Sequence, residues 1–583
     1  MPTTFVPEPR LLESVRGRHW PLFPGHGPTG RPPARADVVI VGAGPAGLAV
    51  ACALWHLGVP DVVLLDRVGR PGGRFLDRID RLDQRVLRSP YEHHPGVEGF
   101  RDCELLDFAR LNWARLTAVE RREVRMSQAG HRSVVPVDVF DAYCRHIAAT
   151  HQVDSKTWRA LVREVLPDDR GVTVRGDGFD IRADFVVLCL GEERAEAPES
   201  WWGGGEPPAG VSYWDSPADP VLARGDGRIA VVGAGLTSAH LIGSALAAGH
   251  RVDWVFRESA ERFQCADVNS KFFRPEGRAR FGGGDQEHRQ ALMRTHRRAS
   301  IMFEFRPMLQ RAEASGQLVV HRGRQIHEVD PTIRLSDGTS LECDHVLLAL
   351  GTTVSTGRGL LPTDLVGDDN GWPDLDERML SYRHAPRVLA VGAATAMVLG
   401  PAGRNIDGHR VATARVAVTV ATGLREGIAP GLDGRTGSSG RAVPDGDAQR
   451  DGHIGSAGSA EQAGDGERAG RAERDGHVGP DGRADRDSDV GRDGHVGPDG
   501  RADRDGDAER VGHRGSDEGA GLPGRAERVG HRGSDEGAGL PGRAGRDGHV
   551  GLDGRSGSDG HLGSGGHAGS DGSSVGARAV VRG

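Results

Sequence analysis

The sequence predicts an α/β fold made of two Rossmann-like dinucleotide-binding units, followed by a repetitive tail without fixed structure. Three observations carry this. The segments "VVIVGAGPAGLA" (Val38–Ala49) and "IAVVGAGLTSAH" (Ile229–His240) have first turn glycines 191 residues apart. Each turn follows an apolar run, as expected of a parallel strand buried on both faces. The 153 residues from Gly431 to Gly583 hold 42 of the 88 glycines and no aromatic residue, Tyr382 being the last. Such a composition cannot bury enough apolar surface to offset its ordering entropy.

The elements follow in order. Residues 1–36 contain eight prolines and read as an irregular arm, with Leu11, Leu12, Trp20, Leu22 and Phe23 available to pin it down. No continuous apolar stretch there resembles a signal peptide. From Asp37 comes a strand, the first glycine turn, a helix and a second strand, Val62–Leu65, that ends at Asp66. A polar, mostly helical segment follows. Val139, Phe140, Tyr143 and Ile147 share helical spacing, so a helix should start near Pro136. Short strands lead to "DFVVLCLG", Asp184–Gly191. The second unit opens at Arg228, continues through "RVDWVFR" and closes with "DHVLLALG", Asp344–Gly351. A last strand, "RVLAVGA", precedes a helix from about Asp407 to Thr422.

The tail divides largely into hexads such as "RDGHVG", and His477, His495, His513, His531 and His549 recur every 18 residues. A hexapeptide β-helix needs an aliphatic residue in every rung. Too few hexads supply one, so disorder is expected from about residue 430 to 583. Isolated histidines in a flexible chain make a poor metal site, and none is assigned.

Composition excludes several function classes. The net charge is -8 and Lys156 and Lys271 are the only lysines, so no basic footprint points to nucleic acid. No apolar run approaches the roughly 18–20 residues of a membrane span. The six cysteines (Cys52, Cys103, Cys144, Cys189, Cys265, Cys343) form no C-x-x-C pair, which argues against a zinc site and a dithiol redox centre. A reducing, cytoplasmic location is expected.

The first turn reads Gly42-x-Gly44-x-x-Gly47. Its glycines serve the tight turn, the close approach of a pyrophosphate, and helix–strand packing. The helix N-terminus offers free N–H groups to that pyrophosphate. Asp66, 19 residues after Gly47, is placed to accept hydrogen bonds from ribose hydroxyls. Just beyond, Gly72 and Gly73 permit close backbone approach, and Arg74 could face a phosphate. The second turn keeps Gly233 and Gly235 but has Ser238 as its third small residue, and Arg257 stands where the first unit has Asp66. A carboxylate repels a 2′-phosphate and an arginine pairs with it. The first unit thus reads as holding a dinucleotide with free ribose hydroxyls, and the second NADPH. Glu258, adjacent to Arg257, keeps NADH open.

This two-turn layout resembles the two-dinucleotide-binding-domain flavoproteins, in particular flavin-dependent monooxygenases of the N-hydroxylating, flavin-containing and Baeyer–Villiger kinds. The resemblance covers about residues 37–425. It implies FAD on the first turn and NAD(P)H on the second. The segments ending at Gly191 and Gly351 resemble the family's crossover motif, with Leu190 and Leu350 in place of its threonine. "PGGRF" resembles the Gly-Gly-aromatic motif, with Arg74 inserted before Phe75. Three departures stand out. "GVSYWDSP" lacks the Baeyer–Villiger histidine. Gly392-Ala393 replaces the Gly-Asp that closes the FAD site. The missing C-x-x-C excludes the disulfide reductase branch.

"GPAGRNIDGHR", Gly400–Arg410, opens the last helix, which in the family points its N-terminus at the flavin. Arg404 and Asn405 are candidate catalytic residues there; the alternative is a glycine-rich helix start with Asp407 as N-cap. His94, with His93, is a candidate for the same pocket, or a polar loop residue.

The implied domains are an FAD domain at 37–215 and 346–425, with an NAD(P)H domain inserted at 220–345. The implied function is an FAD-dependent NAD(P)H oxidoreductase, a monooxygenase acting on a small molecule with O2 through a hydroperoxyflavin. A reductase or dehydrogenase that hands electrons elsewhere is the alternative, and a non-catalytic dinucleotide sensor is another.

Overall fold

The computed structural model describes residues 8–22, 25–97, 104–216, 225–265, 269–330, 332–367 and 371–427. The chain divides into two units, Met1–Asp451 and Gly452–Gly583, and every described residue belongs to the first. Phe23, Cys103 and the hexad tail lie outside the described residues.

The first sheet is built on the opening strand, Arg35–Val41. Its apolar run pairs in parallel with Val62–Asp66 on one side and with Phe179–Leu188 on the other. Thr157–Arg159 and Ala385–Ala390 extend this parallel core at its two ends. Val38, Val39 and Ile40 are fully buried, because helices cover one face and an antiparallel meander, Val162–Asp168 and Gly171–Gly176, backs the other. The first helix, Pro45–His56, buries every residue from Pro45 to Leu54. It packs against the last helix, Ile406–Glu426, through an apolar cluster containing Leu48, Val416 and Val420. Each such side chain contributes about 1.5–3 kcal/mol when fully buried.

The second sheet is wholly parallel, in the order Val211–Tyr213, His345–Leu348, Arg228–Val232, Arg251–Val255, Leu318–His321. This corrects two expected boundaries. Val211 pairs with Val346, so residues before 215 and after 345 complete the inserted domain's sheet rather than the outer one. Strand pairing decides it, since a parallel strand left unpaired at either end would expose its ladder groups. The chain crosses between the sheets on an antiparallel ribbon, Glu192–Arg194 with Thr352–Val354.

The described part of the arm is irregular apart from one short turn, and two of its apolar residues pin it. A short 3-10 turn, Pro9–Glu13, buries Leu11 in the second domain's core cluster, while Trp20 is buried in the first domain's. The Trp20 indole donates to Asp138 at 3.0 Å, and Arg18 pairs with Glu120 and Asp138. The polar segment forms helices Gly73–Arg81, Leu105–Leu111 and Ala118–Gln128. The last of these has a complete capping box between Thr117 and Glu120, which contributes about 1 kcal/mol. The helix expected near Pro136 runs Val137–Thr150.

Candidate functional site

Both glycine turns open onto one cavity of about 1610 Å³ between the two sheets. In the first turn, Gly42 has φ +99°, and a Cβ there would lie 2.4 Å from the Cys189 carbonyl. A Cβ on Gly47 would lie 1.9 Å from the Gly42 carbonyl. Both positions are closed to any side chain. Gly44 differs: its backbone suits any residue, and nothing lies within 4 Å of an added Cβ. It lines the cavity and leaves room for a ligand at the N-terminus of the first helix. Gly191 and Gly351, at the ends of the two crossover segments, also have nothing within 4 Å of an added Cβ and line the same cavity, but their φ of +70° and +90° favour glycine.

Asp66 is buried at the cavity edge. Its carboxylate accepts from the Ala43 N–H at 2.9 Å, the Val68 N–H at 2.8 Å and the Gly69 N–H at 3.2 Å. It clasps the turn, leaving about one of its roughly four lone-pair sites for a ribose hydroxyl. Gly72 donates its N–H to the Ala43 carbonyl at 2.8 Å, and a Cβ on Gly73 would lie 2.9 Å from Asp66. These two glycines pack behind the turn and do not line the cavity. Arg74 lines it, but its guanidinium is held by Glu193, with Nη1 at 2.6 Å from Oε1 and a second bond to Oε2. The guanidinium expected to face a phosphate is thus paired with a carboxylate of the crossover ribbon. Burial raises the Glu193 pKa, and Arg74 more than reverses this, leaving it below the ordinary value.

The second turn repeats the cradle with different fastenings. A Cβ on Gly233 would lie 2.3 Å from the Ala349 carbonyl, while Gly235 is open to the cavity. Ser238 is fully buried behind the turn, its Oγ 3.1 Å from the Cβ position of Gly233. The Trp254 indole donates to the Gly233 carbonyl at 2.6 Å, so an indole and not a carboxylate fastens this turn. Arg257 lines the cavity with its side chain 81% exposed and only a 3.5 Å contact to Glu258.

The candidates around the last helix divide. Arg404 and Asn405 line the cavity, and both are engaged with protein. Arg404 Nε donates to Glu192 at 2.5 Å, and Asn405 Oδ1 accepts from Arg297 at 2.8 Å. Burial pushes the Glu192 pKa up; the bond and charge of Arg404, with Thr352, pull it below the ordinary value. Asn405, not Asp407, takes the N-cap position of Ile406–Glu426. Gly392, with φ +97°, lines the cavity; Gly400 instead packs against Phe272 and Phe281.

His94 is a correction. It is absent from the cavity wall and buried in the first domain's core, with Nδ1 at 3.2 Å from the Tyr143 hydroxyl. Burial, then the charge of Arg410, holds its pKa down at about 3. The helix Val137–Thr150 draws its ring inward, which loop composition could not reveal. The residue that sequence reading missed is His409. It lines the cavity one turn into the last helix, and burial lowers its pKa to about 4. Its spacing of four from Asn405 places both on one helix face, a signal that was available in the sequence.

Cys189 lines the cavity as a buried thiol whose pKa burial pushes well up, which makes it a poor nucleophile. Among the described residues Cys144, Cys189, Cys265 and Cys343 are free thiols, and no three His, Cys, Asp or Glu gather to hold a metal. No described helix is long and apolar enough to cross a membrane.

Comparisons with known proteins agree with this geometry. A pyridine nucleotide-disulphide oxidoreductase profile matches residues 145–421, and an NAD(P)-binding Rossmann-like domain profile matches residues 40–102. No curated protein matches the sequence. Among solved structures, the reduced form of ornithine hydroxylase from Pseudomonas aeruginosa is 17% identical, with a TM-score of 0.54 over 67% of this chain and 99% of that one. The FAD-bound cadaverine monooxygenase of desferrioxamine biosynthesis from Erwinia amylovora is 15% identical, with a TM-score of 0.53 over 67% and 94%. L-lysine 6-monooxygenase from Pseudomonas syringae is 17% identical, with a TM-score of 0.50 over 66% and 99%. The likeness lies in the fold: two glycine-turn domains, one set within the other.

Proposed function

The chain is an FAD-dependent oxidoreductase with two dinucleotide-binding domains, and from that premise we propose that it is an NADPH-dependent monooxygenase acting on a small molecule. One observation carries the reading: both glycine cradles and the open space between them form a single cavity of about 1610 Å³. Ordinary ligand pockets span about 300–1,000 Å³, so this one has room for two dinucleotides to meet. Among the described residues no dithiol stands by to relay electrons. A small acceptor that enters the cavity is the simplest exit for them.

When bound, FAD accepts a hydride from NADPH and delivers electrons to oxygen; the protein supplies position and electrostatics. The N–H groups at the start of Pro45–His56 would hold one pyrophosphate, and those at the start of Leu236–Ala248 the other. Arg257 offers its charge to a 2′-phosphate. The N-terminus of Ile406–Glu426 brings a positive dipole end to the cavity wall. The pair Glu192–Arg404 ties the crossover ribbon to that wall and fixes where it stands.

The test is an absorbance spectrum of the purified protein, taken before anaerobic NADPH, after it, and after oxygen. NADPH consumption and product are then measured with a panel of small amines. Ornithine, cadaverine and lysine come first, since the solved relatives named for them share the fold. The expected result is a yellow protein bleached by NADPH, with NADPH consumption matched by hydroxylated product. NADPH consumed entirely to peroxide across the panel would sink the monooxygenase reading and leave a reductase.

A further inference from the structure

The polar side chains of the cavity wall beside the first turn are nearly all spoken for. Asp66 holds three backbone N–H groups, Arg404 holds Glu192, and Asn405 accepts from Arg297. The rest of that corner is Gly44, Ala46, Gly392, Ala393 and Ile406, which carry no polar side-chain atom. His409 is different. Its Nε2 lies 3.5 Å from the Cβ position of Gly392, and Ala46 Cβ lies 3.7 Å from the same point. The ring therefore sits where the first helix, the Gly392 turn and the last helix converge. Its Nδ1 is buried and has no hydrogen-bond partner among the described residues.

We infer that His409 is an FAD-holding residue, whose imidazole gives the cofactor a hydrogen bond at the wall between Gly392 and the first helix. A buried N–H without a partner costs more than an unpaired lone pair, so the partnerless Nδ1 is the unprotonated nitrogen. Burial keeps this imidazole neutral at pH 7, with one nitrogen a donor and the other an acceptor. A proton on Nε2 leaves only a lone pair buried at Nδ1 and turns an N–H to the cavity. Phosphate oxygens and the hydroxyls of a sugar-alcohol chain are acceptors for that N–H, and FAD carries both. The inference rests on FAD occupying the cavity and is independent of where its electrons go.

The experiment compares the full-length holoprotein with His409→Leu and His409→Gln. The leucine fills the space without a donor; the glutamine keeps an N–H. Flavin release on dilution is followed by the recovery of free-flavin fluorescence, and the affinity for NADPH is measured alongside. Loss of one hydrogen bond to a charged or polar group weakens binding by roughly tenfold. His409→Leu should release flavin about that much faster, with NADPH affinity and melting temperature at saturating FAD unchanged, and His409→Gln should recover most of the retention. Leucine and wild-type proteins that release flavin equally would overturn the inference. So would equal losses in both variants with a lowered melting temperature, the mark of a packing role alone. These readouts concern flavin retention, so a failure to hydroxylate any amine leaves them standing.

Discussion

At the scale of the residue, charge and burial decide what each side chain can do. Among the described residues Arg257 has only a loose contact with Glu258. Arg257→Ala should raise the KM for NADPH by about tenfold, the worth of one charge-assisted contact, and leave that for NADH unchanged. Equal losses with both nucleotides would show that Arg257 does not read the 2′-phosphate. His94 and His240 act on stability. Burial holds both at about 3, against an ordinary value of 6.5. The unfolded chain takes up these protons as pH falls through about 6.5 and the folded chain does not. Their contribution is complete above that pH and is lost as pH drops toward 3, at up to about 1.4 kcal/mol per pH unit for each group. Glu192 is held below 4.5 and adds to the loss only below that pH. Urea midpoints measured from pH 7 to 4 should fall steadily, and His94→Gln should flatten the fall. A midpoint that does not move between pH 7 and 5 would refute this.

At the scale of the element, the glycines of one turn make opposite predictions. Gly47→Ala puts a methyl 1.9 Å from the Gly42 carbonyl, so helix and strand must separate. The Cβ of Gly44→Val meets nothing within 4 Å, and the backbone angles are ordinary. It should fold with the melting temperature of the flavin-free wild-type protein, yet come off the column without flavin, because the side chain fills the cradle. A yellow Gly44→Val protein would mean that the cofactor does not approach there. Behind the turn, Leu48 is fully buried in the seam between the first and last helices. Leu48→Ala should cost about 2–5 kcal/mol in denaturant titrations.

At the scale of the whole molecule, every buried cluster among the described residues lies between Leu11 and Ala421. A chain ending at residue 430 should therefore keep its melting temperature, flavin content and rate of NADPH oxidation. A large loss in any of these would give the tail a part in the enzyme. The arm is not dispensable in the same way. Leu11 sits in one domain's core and Trp20 in the other's, so the stretch between them fastens both.

Much of this was legible in sequence because it is local. Apolar runs and glycine spacing fix the two strand–turn–helix units and the order of elements, since each depends on neighbours within about twenty residues. They also point to FAD on one turn and NADPH on the other. Long-range contacts decided the rest. Strand pairing moved the domain boundaries to include Val211–Tyr213 and His345–Leu348. The partner across the crossover ribbon turned Arg74 toward Glu193. Helix packing drew His94 inward and brought His409 to the cavity wall. Which side chain reaches a site depends on how elements distant in sequence pack, and local pattern carries no record of that.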